Sequence, residues 1–137
     1  MKGQYLTLEY VLFFAIGTAL VVGSYFMFLN INKIFQQSIL ESQLQNTGEM
    51  IMGTVINVFE GSKLTNSTLF YNLTIPSKLS GCTYSITVGN DLKLRCTNQN
   101  VTANITLYGF NIVAKNIIYS TKGLVEINAS SGKVELK

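Results

Sequence analysis

Residues 10–29 read YVLFFAIGTALVVGSYFMFL, twenty consecutive positions without a charged side chain. About 20 apolar residues are what a helix needs to cross the hydrocarbon core of a bilayer. A soluble domain of this size rarely holds a helix that is apolar on every side. The run therefore predicts a membrane-spanning segment rather than a buried core helix. A secretory signal would have a shorter apolar core and small residues at a cleavage site. Here the run is followed by Asn30-Ile31-Asn32-Lys33-Ile34-Phe35, so the segment is expected to stay on the protein. Lys2 on one side and Lys33 on the other give no orientation from flanking charge.

Helical spacing continues past Leu29. Apolar residues recur at Ile31, Ile34, Phe35, Ile39, Leu40 and Leu44, then at Ile51, Met52, Val55, Ile56 and Phe59. Steps of three and four mark one face of a helix. Gln36, Gln37, Glu41, Gln43, Gln45, Glu49 and Asn57 fill the positions between. No proline precedes Pro76, so nothing forces a break. Gly48 and Gly53 weaken the helix by up to about 1 kcal/mol each relative to alanine, as bend points or close-packing sites. Gly61 is the expected stop. A helix over 4–60, apolar at 10–29 and amphipathic at 30–60, would be ~85 Å long at about 1.5 Å per residue. Its first half requires lipid or other copies of itself.

Beyond Gly61 the period changes to two. Thr68–Ile75, Thr83–Val88, Leu92–Thr97, Val101–Tyr108 and Asn111–Ser120 read as strands, with shorter ones at Leu124–Asn128 and Val134–Leu136. Turn signals fall at Gly89-Asn90, Lys122-Gly123 and Ser131-Gly132. The fold class is α+β: a long N-terminal helix and, over 62–137, a small antiparallel β-sandwich-like head. Such a head is marginal alone, so the amphipathic half of the helix is expected to cover one sheet face.

Cys82 and Cys96 lie seven residues either side of Gly89. A hairpin centred there sets them opposite each other, in reach of a disulfide. Redox pairs usually read C-x-x-C beside a helix, so a structural bridge is the expectation. It implies an oxidising compartment and puts the N-terminus inside the cell and the β head outside. Five N-x-S/T sequons, at Asn66, Asn72, Asn100, Asn104 and Asn128, all fall in the β region, where about two are expected by chance. N-glycosylation of that surface is the inference. Three carboxylates there, Asp91, Glu126 and Glu135, face eight Lys or Arg. Few carboxylates mean little charge change as pH falls, which suits an acidic habitat.

The 137 residues suffice for one domain with an appendage. With 47% hydrophobic and 12% charged residues the chain is not of the disordered class. There is no His, which excludes His-based triads and His-ligated metals. Two Cys cannot form a four-cysteine zinc site. No Ser, Thr or Lys stands at a spacing that marks a nucleophile with its base, so neither an enzyme nor a cofactor is expected. Lys93, Arg95, Lys115 and Lys122 are too dispersed to predict nucleic-acid binding.

The first residues carry a family resemblance. Met1-Lys2-Gly3 precedes Gln4-Tyr5-Leu6-Thr7-Leu8-Glu9, and then the apolar run begins. A basic residue, a glycine, and an uncharged helix with one early Glu resemble the class III signal peptides of type IV pilins, the archaeal ones above all. The likeness extends to the layout of leader, long helix and β-rich head. It implies a leader at 1–3, removed by a membrane prepilin peptidase that recognises Lys2, Gly3 and Gln4. It also implies a helix that becomes the filament core, and assembly by a cytoplasmic ATPase with a membrane platform protein. The chain would then be a surface filament subunit, inserted in the membrane before assembly and serving adhesion or cell–cell contact. Cleavage after Gly3 makes Glu9 the sixth mature residue, and cleavage after Gln4 makes it the fifth, the family's usual place for Glu. The family's preference for a small residue before the cut favours Gly3. By the same resemblance Glu9 pairs with a neighbour's new amino group; alone it would be an interfacial charge. Alternatives of the same layout are a minor pilin or pseudopilin, and a membrane-anchored extracellular binding module. A single-pass receptor would need more cytoplasmic residues than precede the run.

Overall fold

The computed structural model describes residues 2–137 except Lys115 and Ser131, with side chains described from residue 7 onward. One helix, α1 (Lys2–Thr65), precedes eight strands: β1 (Leu69–Thr74), β2 (Tyr84–Val88), β3 (Asp91–Cys96), β4 (Thr102–Thr106), β5 (Ile112–Ala114), β6 (Ile118–Tyr119), β7 (Leu124–Ser130) and β8 (Lys133–Leu136). The chain divides into two compact units, 1–36 and 37–137. The second begins inside α1, so the C-terminal half of the helix belongs to the β head.

The helix runs four residues past Gly61. What ends it is Asn66, in the left-handed region at φ 48°. The Ser67 amide donates to the Ser62 carbonyl at 3.2 Å, and the Asn66 amide to the Lys63 carbonyl at 3.4 Å. This pair of bonds is the Schellman closure, with Asn in place of the usual glycine. Gly61 serves packing instead: a Cβ there would stand 3.1 Å from Leu69 Cδ1 on β1.

The buried stripe of α1 is Leu40, Leu44, Thr47, Gly48, Ile51, Met52 and Val55, with Ser62 a further turn on. Its steps of three and four follow the helical period. Ile31, Ile34 and Phe35, expected on the same face, are exposed. The two buried hydroxyls are satisfied within the helix: Thr47 Oγ1 donates to the Gln43 carbonyl and Ser62 Oγ to the Phe59 carbonyl, each at 2.8 Å. Neither introduces an unpaired polar group into the core.

Two four-stranded sheets pack with this stripe, in the orders β1-β7-β8-β5 and β4-β3-β2-β6. The stripe and both sheets share one core. Alternation along the strands is strict: Leu92, Leu94 and Cys96 point inward while Asp91, Lys93 and Arg95 face out. In the course of residues 111–120 the structure departs from the sequence reading in two respects. Residues 111–120 are not one strand. They contribute β5 to one sheet and β6 to the other, because the chain crosses between sheets in the middle of the segment. β5 then runs parallel to β8, so the head is antiparallel with one exception.

The β1–β2 connection is held down by polar contacts. Tyr84 Oη donates to the Pro76 carbonyl at 2.8 Å. Ser120 Oγ donates to the Ser77 carbonyl at 2.8 Å and accepts from the Tyr84 amide at 3.0 Å. Ser80 Oγ donates to Gln43 Oε1 at 2.8 Å, which ties the connection to α1. The Cys82–Cys96 disulfide closes it, with Cα atoms 6.0 Å apart. The hairpin is centred on Asn90 rather than Gly89, so the residue opposite Cys96 is Tyr84, not Cys82. The bridge forms because Cys82 lies just before β2, turned toward the strand end by its own short pairing with Leu79. Closing a loop of this length contributes about 3 kcal/mol in the chain-entropy account.

Gly48 sits where the helix meets the second sheet. A Cβ at this position would overlap Ile105 Cδ1 and lie 2.8 Å from Ile105 Cγ1 and 3.0 Å from Leu94 Cδ1. Gly48→Ala should cost about 1–3 kcal/mol in overpacking, more than the ~1 kcal/mol of helix propensity it gains. Gly53 is exposed, with no atom within 4 Å of an added Cβ. Gly53→Ala should therefore stabilise by about 0.5–1 kcal/mol. Denaturant midpoints of the two variants, shifting in opposite directions, check the assignment.

Burial pushes the Tyr84 phenol up from 10.0 to about 12. The unfolded chain loses that proton near pH 10 and the folded one near 12, so this group leaves stability unchanged below pH 10 and lowers it as pH rises between the two. Tyr84→Phe should cost about 1 kcal/mol at neutral pH, the net value of a hydrogen bond. It should also flatten part of the alkaline decline. Unfolding midpoints at pH 7 and pH 11 measure both effects.

Candidate assembly surface

Along residues 7–36 every described side chain is exposed within the chain. Leu8, Tyr10, Phe13, Phe14, Val21 and Met27 each show more than 60% of their surface. Steps of one, two, three, six and seven place them all round the helix rather than on one stripe. This stretch has the length and composition to cross a membrane. One of its hydroxyls, that of Thr18, is satisfied within the helix: Thr18 Oγ1 lies 2.7 Å from the Phe14 carbonyl and 3.0 Å from that of Ala15. A polar group with no water to bond needs such a partner. Gly17 and Gly23 meet nothing within 4 Å, so their small size serves no packing inside the chain.

Glu9 is the only charged residue between Lys2 and Lys33, and it is exposed. Lys2, Gly3 and Gln4 form the first turn of α1 by backbone, while their side chains lie outside the described residues. Met1 lies outside them altogether.

The remaining sequence-derived positions spread over the head. Asn66, Asn72, Asn100 and Asn104 are exposed, and Asn128 is half-buried. Lys93 and Arg95 face out from β3. Lys122 stands 3.9 Å from Glu126, and Lys115 lies outside the described residues. Sequence reasoning missed a cleft of about 510 Å³ lined by Ile117, Ile118, Tyr119, Lys122, Leu136 and Lys137. It arises where the chain crosses from β5 to β6, and no period-two pattern could have shown that crossing. The exposed Phe70 and Tyr71 on β1 were also invisible from alternation alone.

No family model, no curated protein and no solved structure matches this chain. The layout, an apolar N-terminal helix running into a disulfide-closed β head, is pilin-like. The helix and the disulfide together mark a membrane or secreted protein.

The division at residue 36 can be tested directly. A chain begun at Gln37 should stay in solution without detergent, since the continuous apolar stretch of residues 7–36 lies before that point. The full chain should require detergent or lipid. Size-exclusion chromatography of the two forms, with and without detergent, measures the difference.

Proposed function

We propose that this chain is the structural subunit of an archaeal type IV pilus, a filament held together by the N-terminal helices with the glycosylated β heads outward. The observation that carries the reading is the apolar surface of residues 7–36, exposed on all sides and continuous in one helix with a head that has its own closed core. Surface of that extent needs lipid or like helices around it.

The physical steps follow from the two solvents the helix meets. In the membrane, lipid surrounds residues 10–29 and the head stands outside, where Cys82 and Cys96 oxidise. A prepilin peptidase removes Met1–Gly3. An assembly ATPase with its platform protein then draws subunits from the bilayer. Moving apolar surface from water into the bundle would gain about 25 cal/mol per Å². Moving it from lipid gains far less, because lipid tails are as apolar as the helix. Hence a motor is needed. Glu9 costs about 2.5–3.5 kcal/mol if it is carried to mid-membrane depth. A salt bridge to the new amino group of Gln4 on a neighbouring subunit offsets that cost and fixes the axial step. Aromatic bulk at Tyr10, Phe13, Phe14, Tyr25, Phe26 and Phe28 fills the bundle. The role is structural and needs neither catalysis nor a cofactor; adhesion or cell–cell contact is the use. A minor pilin would share all of these features and differ in abundance.

The cleft beside Ile117 and Tyr119 favours a second reading, a membrane-anchored extracellular binding module. One experiment separates the two. Filaments are sheared from source cells, and the N-terminal residue of this chain in them is determined. Abundant filaments of the chain beginning at Gln4 or Tyr5 support the pilin reading and fix the cleavage site. A membrane-bound monomer that keeps Met1 supports the anchored module. Glu9→Leu should leave membrane insertion intact and reduce the filament yield at least tenfold, on the order of the ~1.4 kcal/mol per decade that a lost charge pair readily exceeds when desolvated.

A further inference from the structure

A free sheet edge is a row of unpaired backbone donors and acceptors ready to take another strand. The head has four edge strands: β1 and β5 in one sheet, β4 and β6 in the other. β5 and β6, of three and two residues, are too short to template a partner. β1 and β4, of six and five residues, are not. Proteins usually protect such edges with charge, above all lysine, or with proline. Here the placement is inverted. The charged residues of the described strands are Asp91, Lys93, Arg95, Glu126, Lys133 and Glu135, and all lie on the interior strands β3, β7 and β8. β1 reads LFYNLT and β4 reads TANIT, without one charge between them. On β1, Phe70 is 76% exposed and Tyr71 48%. A short uncharged strand with exposed aromatics on an open edge has the composition that aggregates edge to edge.

What these two edges carry instead is sequons. Asn72-Leu73-Thr74 lies within β1 and Asn66-Ser67-Thr68 immediately before it. Asn104-Ile105-Thr106 lies within β4 and Asn100-Val101-Thr102 enters it. Four of the five sequons thus sit on or at the start of the two long open edges, and none lies on the two short ones. In each edge strand the Asn and its Thr are both exposed and, two residues apart, share the outer face. Asn72 stands opposite Glu126 and Asn104 opposite Lys93, so each projects beside the interior charges of its sheet.

We propose that N-linked glycans at Asn72 and Asn104 guard the open edges β1 and β4 in place of charge, keeping neighbouring heads from pairing strand to strand. This rests on the glycosylated, extracellular reading given above. The donor is a lipid-linked sugar phosphate. The Asn carboxamide nitrogen bonds to the anomeric carbon of the sugar and gives up one proton. The bond from that carbon to the phosphate oxygen breaks, and the phosphate leaves with the electron pair. A hydrated sugar chain rooted on an edge strand occupies the space about 4.8 Å away that an added strand would need. The demand is greatest in a filament, where tethering holds heads at millimolar effective concentration.

The test uses the full chain on source cells. Glycopeptide masses give the occupancy of each sequon. Filaments of the Asn72→Gln/Asn104→Gln double variant are compared with wild type and with Asn128→Gln by low-speed sedimentation and by a cross-β dye. The double variant should bundle, raising the pelleted fraction several-fold with dye binding, and Asn128→Gln should not. Adding Phe70→Lys and Thr106→Lys, which touch no remaining sequon, to the double variant should restore dispersal without the glycans at Asn72 and Asn104. Bare Asn72 and Asn104 in the wild type would overturn the proposal, and five bare sequons would overturn the glycoprotein assignment as well. Occupied sites whose loss leaves the filaments dispersed would overturn the proposal alone. So would equal bundling by Asn128→Gln, or failure of the lysines to rescue, because the glycans would then be general solubilisers. The same variants are run as detergent-solubilised full chain on size exclusion. A lack of filaments therefore counts against the pilus reading and leaves the edge comparison standing.

Discussion

The structure depends on the seating of one helical stripe, Leu40 to Val55, on the two sheets. Eight strands of two to seven residues do not make a stable head without it, because small sheets leave one face wet. The stripe supplies Leu40, Leu44, Ile51, Met52 and Val55 to a core that both sheets share. Gly48 sets the approach at its centre, where Ile105 and Leu94 occupy the space that any side chain would take. The helix is thereby committed at one end. Toward its other end, the described side chains of residues 7–36 are exposed, and the stretch has the composition of a lipid- or helix-solvated rod.

That division explains what the sequence could and could not disclose. The long helix was legible because its two signals are strong: an uncharged run of bilayer length and apolar steps of three and four. Where the stripe begins was not. Ile31, Ile34 and Phe35 keep the spacing but are exposed, so periodicity alone overstated the buried face. The helix stop was misplaced for a related reason. Glycine ends helices by entering the left-handed region, but Gly61 is needed for the close approach of Leu69, and Asn66 took over the capping role.

In the head, the strands with clean alternation were readable, and β3 is the plainest case. The crossing between β5 and β6 was not, since both halves are apolar and β-branched and only tertiary pairing decides which sheet each joins. The disulfide was legible although the register behind it was off by two residues. A bridge tolerates a range of Cα separations, and the turn of the chain at Leu79–Cys82 makes up the offset. At the assembly surface the apolar residues and Glu9 could be named from sequence, and their exposure is what the fold adds. The sequons could be counted from sequence, but their placement on open edges required the strand order.

Strand order also changes how the charge distribution is understood. By composition the head looks merely poor in carboxylates. By topology the charges of its described strands all lie on interior strands, and none protects an edge. Charge as an edge guard weakens when carboxylates protonate or when salt screens the lysines. A glycan guard is a steric and hydration barrier and depends on neither. On the proposed filament reading the head would stand outside the cell, at close quarters with copies of itself and with no control over external pH or ionic strength, and would gain from that exchange. The paucity of carboxylates and the concentration of sequons on β1 and β4 are then two consequences of the same physical demand.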